Sequence, residues 1–390
     1  MGRRTRRAAV ALGSLVVALA ATEAALRTWW PVGGNNYRQD AELIHVTRPN
    51  SVRLQLMPSY ADTQRVLVEI GPDGYRGPAL ERPKTRPRLA ILGDSLVLAG
   101  NTIESETFTR RLGVELGDAY ELVNVGAESY GPDQTLLRLE REFEHLDPDG
   151  LILVLCAHND LGDPIRNKLF RLDAANGLVR TAPDIGPALR AGFVNRERRA
   201  QRWAMLRWFD HLRASPHAPA DWDGPWIELY LQAARQQFAD WRSGNPTVDD
   251  VERDTYDADV ALEPSSESAR TKQRLLAAIL ERMRRRAERA GVPFAIVVVP
   301  SPIDVAPGFP IQVDAPRFPD YDARALVAAC LAAAGSVPAL DLTPVFLAND
   351  PNQMFVGGDD IHWNARAQAS CARACAAWLS EHSLLPVAKE

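Results

Sequence analysis

The sequence predicts an α/β fold of three layers, in which a parallel sheet of about five strands lies between helices. The main observation is that short apolar runs alternate with stretches of helical period, once over 87–169 and again over 271–386. Apolar residues make up 46% and charged residues 24% of the 390 residues, the composition of a globular protein. The formal net charge of −5 lacks the basic excess of nucleic-acid binders, so we exclude nucleic acid as a partner.

The predicted strands and helices alternate in chain order. In the first half, apolar runs predict strands at 89–92, 120–125 and 151–156, and periodic stretches predict helices at 107–116 and 134–146. In the second half the same two patterns predict elements at 271–290, 294–299, 323–334, 339–342 and 365–380. Because the strands are apolar throughout, we expect them to be buried on both faces of the sheet.

The N-terminus has the layout of an export signal. Four arginines precede an uncharged, alanine-rich run over 8–22, which continues into a tryptophan pair at 29–30. We therefore expect residues 1–30 to be a signal anchor or a cleaved signal peptide, and the rest of the chain to lie outside the cytoplasm. Small residues at 18 and 20 fit the cleavage rule of signal peptidase, whereas the tryptophan pair favours an uncleaved anchor. A buried core helix is a third alternative.

Two further segments accompany the core, whose predicted parts are 87–169 and 271–386. Residues 31–86 are rich in Pro, Gly, Arg and Asp, and we interpret them as a lead-in segment packed on the core. Short apolar bursts such as 66–70 are predicted to be isolated strands within it. Residues 170–270 break the alternation, and we interpret them as a mainly helical insertion.

The insertion holds five of the nine tryptophans of the chain. Trp203 and Trp208 lie at helical spacing with Leu206, which favours packing inside a helical subdomain. The insertion leaves the core just after the third strand, at the edge where parallel strands end. We therefore expect it to roof a site at that edge with Trp222 and Trp226; packing within the insertion is the alternative.

The four cysteines lack the close pairs and accompanying histidines of a metal site. Cys371 and Cys375 are one helical turn apart and are poorly placed to bridge each other. Either could form a disulfide with Cys330 if the two helices pack together. The alternative is that all of them are reduced.

Chemistry-bearing residues follow the first predicted strand and precede the last helix. Ser95 ends the run Gly93-Asp94-Ser95, at the sheet edge where α/β proteins bind ligands. Asp359 and His362 are three residues apart and would be neighbours in a helical turn, so Asp359 could hold the imidazole. Together these residues predict a nucleophile, its base and an orienting carboxylate. Taken alone, Gly-Asp-Ser is also compatible with a turn and a helix cap.

Two residues after the next strands are candidates for the donors that an oxyanion needs. Gly126 would let its backbone N–H approach a substrate oxygen without a side chain in the way. Asn159 offers a side-chain amide. The alternatives are an ordinary turn glycine and a helix N-cap. For the neighbouring His158 we expect a hydrogen-bonded structural role.

Four blocks of this sequence resemble, in order, those of the SGNH hydrolases, also called the GDSL family of esterases and lipases. The blocks span 91–95, 124–134, 159–160 and 359–364. A fifth stretch at 74–78, together with the end of the N-terminal segment, is similar to membrane-anchored bacterial members.

The resemblance implies a flavodoxin-like fold and a set of site residues. Ser95 would be the nucleophile, His362 the base and Asp359 its orienting partner. The backbone N–H groups of Ser95 and Gly126 and the amide of Asn159 would form the oxyanion hole. One position departs from the family, because the third block usually opens with glycine and here has Ala157. We expect this methyl group to narrow the pocket or tilt Asn159.

The function expected from these residues is that of a serine esterase on the extracytoplasmic, periplasmic side of a bacterial envelope. It would cleave a short-chain acyl ester through an acyl-enzyme, with glycan O-acetyl groups as one candidate, and would need no metal or cofactor. Its partners would be the ester substrate, an acylated glycan or lipid, and the membrane. The first alternative is an O-acetyltransferase of cell-surface glycans with the same triad, and the second is a non-catalytic glycan-binding or scaffold protein.

Overall fold

The computed structural model describes residues 2–31, 34–57, 64–213, 225–251 and 255–386. The chain begins with helix α1, Arg3–Trp29, which has no buried residue along its 27 residues. Among the described residues it is the one helix long and apolar enough to cross a membrane, with a window of mean hydropathy 1.9. Such a helix is compatible with a signal or an anchor. A buried core helix is excluded by the exposure of α1.

The lead-in segment forms two antiparallel strand pairs, built from β1 Tyr37–Asp40, β2 Ile44–Thr47, β3 Ser51–Met57 and β4 Gln64–Ile70. The apolar run at 66–70, which was predicted to be an isolated strand, lies in β4, and β4 is paired with β3. The reason is that the backbone groups of a strand need hydrogen-bond partners. Single bridges from Ile70 to Arg76 and from Arg76 to Asn124 connect this segment with the edge of the core sheet.

The first part of the core alternates strands and helices as predicted, through β5 Arg88–Leu92, α2 Ser95–Leu98, α3 Phe108–Glu115, β6 Glu121–Asn124, α4 Pro132–Leu146 and β7 Gly150–Cys156. Helix α3 begins after Thr107, whose hydroxyl accepts a hydrogen bond from the Arg110 N–H and so caps the helix. Helix α4 begins at Pro132, a residue preorganised for a first helical position.

Smaller elements then interrupt the core. They are α5 Asp163–Asn167, β8 Phe170–Leu172, β9 Leu178–Arg180, β10 Asp184–Ile185, α6 Pro187–Gln201, α7 Ala204–Arg213, α8 Trp226–Ser243, β11 Thr247–Val248 and α9 Ala258–Leu262. The packing expected for Trp203 is wrong, because Trp203, just before α7, is 57% exposed and Leu206 within α7 is 47% exposed. Trp208 is half-buried, and Trp222 lies outside the described residues.

The second part of the core resumes the alternation, through α10 Glu267–Ala290, β12 Phe294–Val299, α11 Pro302–Val305, α12 Ala325–Ala334, β13 Ala339–Asp341, α13 Thr343–Ala348, β14 Phe355–Gly357, β15 Asp360–Trp363 and α14 Ala365–Glu381. The five core strands are all parallel and lie in the order β13-β12-β7-β5-β6. Counted along the chain this is the order 2-1-3-4-5 of flavodoxin, which confirms the predicted fold class.

The cysteines are all buried and free, so the disulfide considered from the sequence does not form. Helix α14, with Cys371 and Cys375, packs against α3, whereas α12, with Cys330, packs against α10. The right-handed crossovers of a parallel sheet place these two helix pairs on opposite faces. The sheet therefore separates Cys330 from the other two thiols.

Candidate active site

Ser95 is the first residue of α2, directly after β5, and its side chain is nearly buried with 7% exposure. The turn depends on Gly93, where an added Cβ would lie 2.6 Å from Val97 Cγ2 and 2.9 Å from the Val154 carbonyl oxygen. Asp94 caps the helix by accepting a hydrogen bond of 2.8 Å from the Leu96 N–H. Ser95 is thereby held at the carboxyl edge of the sheet.

His362 lies in the short hairpin of β14 and β15 and faces Ser95. Its Nε2 is 2.7 Å from Ser95 Oγ, and its Nδ1 is 2.6 Å from Asp360 Oδ1. The same carboxylate oxygen accepts the backbone N–H of His362 at 2.9 Å. The three side chains therefore form the continuous hydrogen-bonded series that nucleophilic catalysis uses, with a hydroxyl, an imidazole and a carboxylate.

The sequence-based choice of Asp359 as the orienting carboxylate is wrong in this structure, and Asp360 occupies that place. The choice assumed a helical turn, in which residues three apart are neighbours. The chain at 360–363 is instead a strand, where side chains two apart share a face. Asp360 and His362 therefore point the same way, while Asp359 is exposed in the turn before the strand.

The Asp360 carboxylate is stabilised in its charged form. Burial raises its pKa, but the attraction of His362 and the two N–H donors of that residue outweigh burial, and the pKa lies below its ordinary value. Asp360 is therefore ionised at neutral pH and can hold an imidazolium.

Trp363, which the sequence analysis did not single out, fixes the hairpin to the nucleophile helix. It is fully buried, stacks on Phe108 with ring centroids 5.3 Å apart, and donates from Nε1 to the Leu96 carbonyl oxygen at 2.9 Å. The Asn101 amide in turn donates to the Trp363 carbonyl oxygen at 3.1 Å. These contacts set the position of His362 relative to Ser95. The position of a tryptophan directly after His362 was the feature of the sequence that could have indicated this role.

Gly126 and Asn159, the predicted oxyanion donors, make hydrogen bonds within the protein. The Gly126 N–H donates to Asn124 Oδ1 at 3.1 Å, and an added Cβ at Gly126 would lie 2.3 Å from the Leu98 nitrogen. Glycine is required there by the close approach of α2, which corrects the expectation that it leaves its N–H open to substrate. Asn159 Nδ2 donates to Asp163 Oδ2 at 2.8 Å and retains one further hydrogen.

Of the two residues before Asn159, only His158 has the role expected from the sequence. His158 makes the hydrogen bond expected of it, with Nδ1 2.9 Å from Ser301 Oγ, and is buried. Ala157 is fully buried and donates its N–H to the Val299 carbonyl oxygen at 2.9 Å. Its methyl group therefore does not lie at an open rim, and it cannot narrow the mouth of the pocket.

A cavity of about 320 Å³ adjoins Ser95 and His362, within the size range of ligand pockets. Its walls come from the lead-in segment, from the loop after β6 and from α6, and its lining residues are Gly34, Asn35, Asn36, Tyr37, His45, Arg53, Ser95, Glu128, Ser129, Phe193, Arg196, Arg199 and His362. The insertion thus reaches the site through α6. The predicted role of Trp226 is wrong, because Trp226 lines a separate depression with Pro310 and Ile311.

One ion pair among the lining residues of this cavity joins Arg53 and Glu128. Glu128 accepts hydrogen bonds from Tyr37 at 2.8 Å and from Arg53 at 3.0 Å. Burial raises the pKa of Glu128, but attraction to Arg53, the Tyr37 hydroxyl and nearby His362 outweigh it and hold that pKa below its ordinary value. Burial and the Glu128 charge raise the pKa of Tyr37. The carboxylate is therefore charged and the phenol neutral.

No family model and no curated protein sequence matches the chain. Solved structures that resemble it include a lipase/acylhydrolase from Enterococcus faecalis, at 10% identity over 78% of this chain and 100% of that one, with a TM-score of 0.35. An acetyl xylan esterase, AlAXEase, is 12% identical over 75% and 98%, with a TM-score of 0.36. The carbohydrate acetylesterase Est24 from Sinorhizobium meliloti is 12% identical over 76% and 100%, with a TM-score of 0.32.

By their names, these three structures are of proteins that hydrolyse esters. With TM-scores below 0.5, the similarity to these structures does not establish the activity of this chain. The activity has to be inferred from the geometry around Ser95.

Within the described ranges, no group of three or more His, Cys, Asp or Glu side chains could hold a metal ion.

Proposed function

We propose that the chain is a serine ester hydrolase of the SGNH type, with Ser95 as nucleophile, His362 as base and Asp360 as the orienting carboxylate. The observation that carries the proposal is the series of hydrogen bonds from Ser95 Oγ to His362 at 2.7 Å and on to Asp360 at 2.6 Å. A serine hydroxyl is a weak nucleophile until an adjacent base accepts its proton. The imidazole is in place to do so.

The reaction proceeds in two halves. Ser95 Oγ attacks the ester carbonyl carbon while its proton passes to His362 Nε2, and the resulting imidazolium faces the Asp360 carboxylate. The tetrahedral intermediate collapses, His362 returns the proton to the departing alcohol, and the acyl group remains on Ser95. A water then attacks this acyl-enzyme with His362 again as base, which releases the carboxylic acid and restores the hydroxyl.

The negative oxygen of the intermediate needs donors that are present before the reaction. The Ser95 N–H belongs to the first turn of α2, where the donors have no acceptor within the helix. The second hydrogen of the Asn159 amide is a further candidate. Gly126 would contribute only if Asn124 turned away from it.

The cavity favours a short acyl group and a polar alcohol. Its lining consists mostly of polar side chains, among them Asn35, Asn36 and Ser129, whereas a long acyl chain would be stabilised by an apolar lining. O-acetyl groups on glycans have this combination, since acetyl is the shortest common acyl group and a sugar is polar. We therefore place acetylated glycans first among the candidate substrates.

The position of α1 favours action at a membrane surface on the extracytoplasmic side. Gly34 lines the cavity only five residues after Trp29, where α1 ends, so at about 3.6 Å per residue the cavity wall lies within about 18 Å of the end of α1. Glu23 near that end accepts N–H groups of Ala204 and Met205 at 2.8 and 3.1 Å. An anchored α1 would thus hold the site close to substrates of the envelope.

The direct test uses the full chain in detergent micelles, with 4-nitrophenyl acetate as substrate and a fluorophosphonate as covalent probe. We expect ester hydrolysis and one phosphonyl adduct, which peptide mass spectrometry assigns to Ser95. Ser95→Ala should lose both. Its melting temperature should stay close to the wild-type value, because the change removes one hydroxyl and opens no core cavity. Hydrolysis by Ser95→Ala at a tenth of the wild-type rate or more would contradict the assignment.

A further inference from the structure

Helix α7 and the residue before it form an exposed apolar patch. Its members Trp203, Leu206 and Phe209 are 57%, 47% and 49% exposed. They are spaced three residues apart, and the Trp203 carbonyl oxygen accepts the Arg207 N–H at 3.1 Å, as in a first helical turn. The three side chains therefore lie along one side of the helix. The other side packs on the protein, because Ala204 and Arg207 are buried. Apolar side chains grouped in this way mark an interaction surface more often than single exposed ones do.

The start of α7 is tied to α1. Ala204 and Met205 are the first two residues of α7, and their N–H groups have no acceptor within the helix. Both donate to the Glu23 carboxylate, at 2.8 and 3.1 Å. Glu23 also accepts a hydrogen bond from Arg27 Nε, one turn further along α1, at 2.7 Å. The carboxylate thus fixes the level along α1 at which α7 begins.

The length of α1 gives the depth of this contact in a bilayer. Arg7 and Glu23 bound the uncharged run of α1 and are sixteen residues apart, about 24 Å at 1.5 Å per residue. This is shorter than a hydrocarbon core of about 30 Å, so a spanning α1 with Arg7 at one boundary brings Glu23 to the other boundary and no further. Trp29, 77% exposed, then lies about 9 Å beyond Glu23, in the region where tryptophans are enriched. In that arrangement α7 begins at the lipid interface.

We propose that the exposed patch of Trp203, Leu206 and Phe209 inserts into the interface of the bilayer that α1 spans. Helices that lie in a membrane surface bury Trp, Phe and Leu about 5–10 Å deep, at the boundary of headgroups and acyl chains. The inference rests on the proposed membrane anchor and not on the esterase activity. Because α6 lines the cavity and ends at Gln201, two residues before Trp203, the contact also holds one wall of the cavity at the membrane surface.

Nitroxide labels test this contact in the full-length protein, reconstituted in nanodiscs of phosphatidylcholine and phosphatidylglycerol. The four native cysteines are buried, so the label attaches at an introduced surface cysteine. Leu206→Cys and Phe209→Cys probe the patch, and Leu347→Cys is the matched control. Leu347 is 56% exposed in α13, directly after the edge strand β13, whereas the lead-in segment is bridged to β6 at the other edge of the sheet. Val16→Cys, at a position 57% exposed, probes α1 itself.

Collision rates of the label with two reagents measure its depth. Oxygen concentrates in lipid, whereas a water-soluble nickel chelate is excluded from it. We expect the nickel collision rate at Leu206→Cys and Phe209→Cys to be about fivefold or more below that at Leu347→Cys, because insertion by several ångströms excludes the chelate. The oxygen collision rate at the patch should be at least as high as at Leu347→Cys. An unchanged melting temperature shows that each labelled variant is folded.

The label at Val16→Cys separates the patch from the anchor. A label at Val16→Cys in lipid, with a label at Leu206→Cys as accessible to nickel as that at Leu347→Cys, would overturn the contact of α7 and leave the anchor supported. Low collision rates with both reagents at Leu206→Cys would show that protein, such as a second copy of the chain, covers the patch, and would also overturn the lipid contact. A label at Val16→Cys in water would contradict the anchor and the inference together.

Discussion

The two halves of the candidate active site differ in how their polar groups are bonded. On the nucleophile side, hydrogen bonds run in series from Ser95 through His362 to Asp360. On the oxyanion side, the Gly126 N–H and the Asn159 amide donate to acceptors within the protein. The first half is organised for proton transfer before substrate arrives. The donors of the second half are already bonded to acceptors within the protein. We therefore expect substitutions in the first half to reduce the rate more.

The largest effect is expected for His362→Ala. Without the imidazole Ser95 Oγ loses the base that accepts its proton, and kcat should fall by at least about 10⁴-fold, as for other triads that lose a member. Steady-state hydrolysis of 4-nitrophenyl acetate measures the loss. A fall of less than a hundredfold would show that another group acts as the base.

Asn159→Ala should have a smaller effect on kcat. A dedicated oxyanion donor contributes about 10²–10³ in kcat, and we expect about 10–10² here because Asp163 shares the Asn159 amide. KM should change little, since the donor acts on the charge that develops in the transition state. A loss below about threefold would restrict Asn159 to a structural role, and a loss above about 10³ would remove the difference between the two halves.

Gly126→Ala tests whether this glycine serves packing. The added methyl group would meet the backbone of α2 at Leu98, so we expect a loss of about 1–3 kcal/mol in the free energy of unfolding, as for other overpacked sites. Urea denaturation measures it. Unchanged stability with reduced kcat would instead assign Gly126 to the oxyanion hole.

Trp363→Phe should lower kcat less than either His362→Ala or Asn159→Ala. Phenylalanine keeps an aromatic ring against Phe108 but leaves the Leu96 carbonyl oxygen without its indole donor, at a cost of about 1–3 kcal/mol in unfolding free energy. We expect kcat to fall by less than tenfold, because His362 keeps both of its own partners. A larger fall in kcat with unchanged stability would make Trp363 a more important positioning residue than its contacts indicate.

The core could be predicted from the sequence because its signals are local. The apolar run of β12 has the same bounds in the prediction and in the structure, and α4 differs only at its first turn. Uninterrupted apolar runs and a helical period leave few other ways to bury these side chains. Right-handed connections between parallel strands then restrict the possible strand orders.

The rest of the site depends on features that a sequence pattern does not carry. The Asp359 assignment failed because a four-residue strand was taken for a helical turn, and neither reading has a distinctive local signature at that length. The arginines of α6 were not predicted to line the cavity, because Arg-rich helices normally face solvent. Their position results from the packing of α6 near the lead-in segment, a contact between distant parts of the chain.

The most direct test of the account compares Asp359→Asn with Asp360→Asn, two neighbouring substitutions of identical chemistry. Asp360→Asn should lower kcat/KM by at least about 10², because it removes the negative charge that stabilises the His362 imidazolium and allows an amide donor to face Nδ1, which favours the wrong tautomer. The attraction to His362 that lowers the pKa of Asp360 equally favours the imidazolium. The acid limb of the pH profile should therefore move to lower pH in this variant, and Asp359→Asn should match wild type within about twofold. A large loss in Asp359→Asn with near-normal Asp360→Asn would contradict the account.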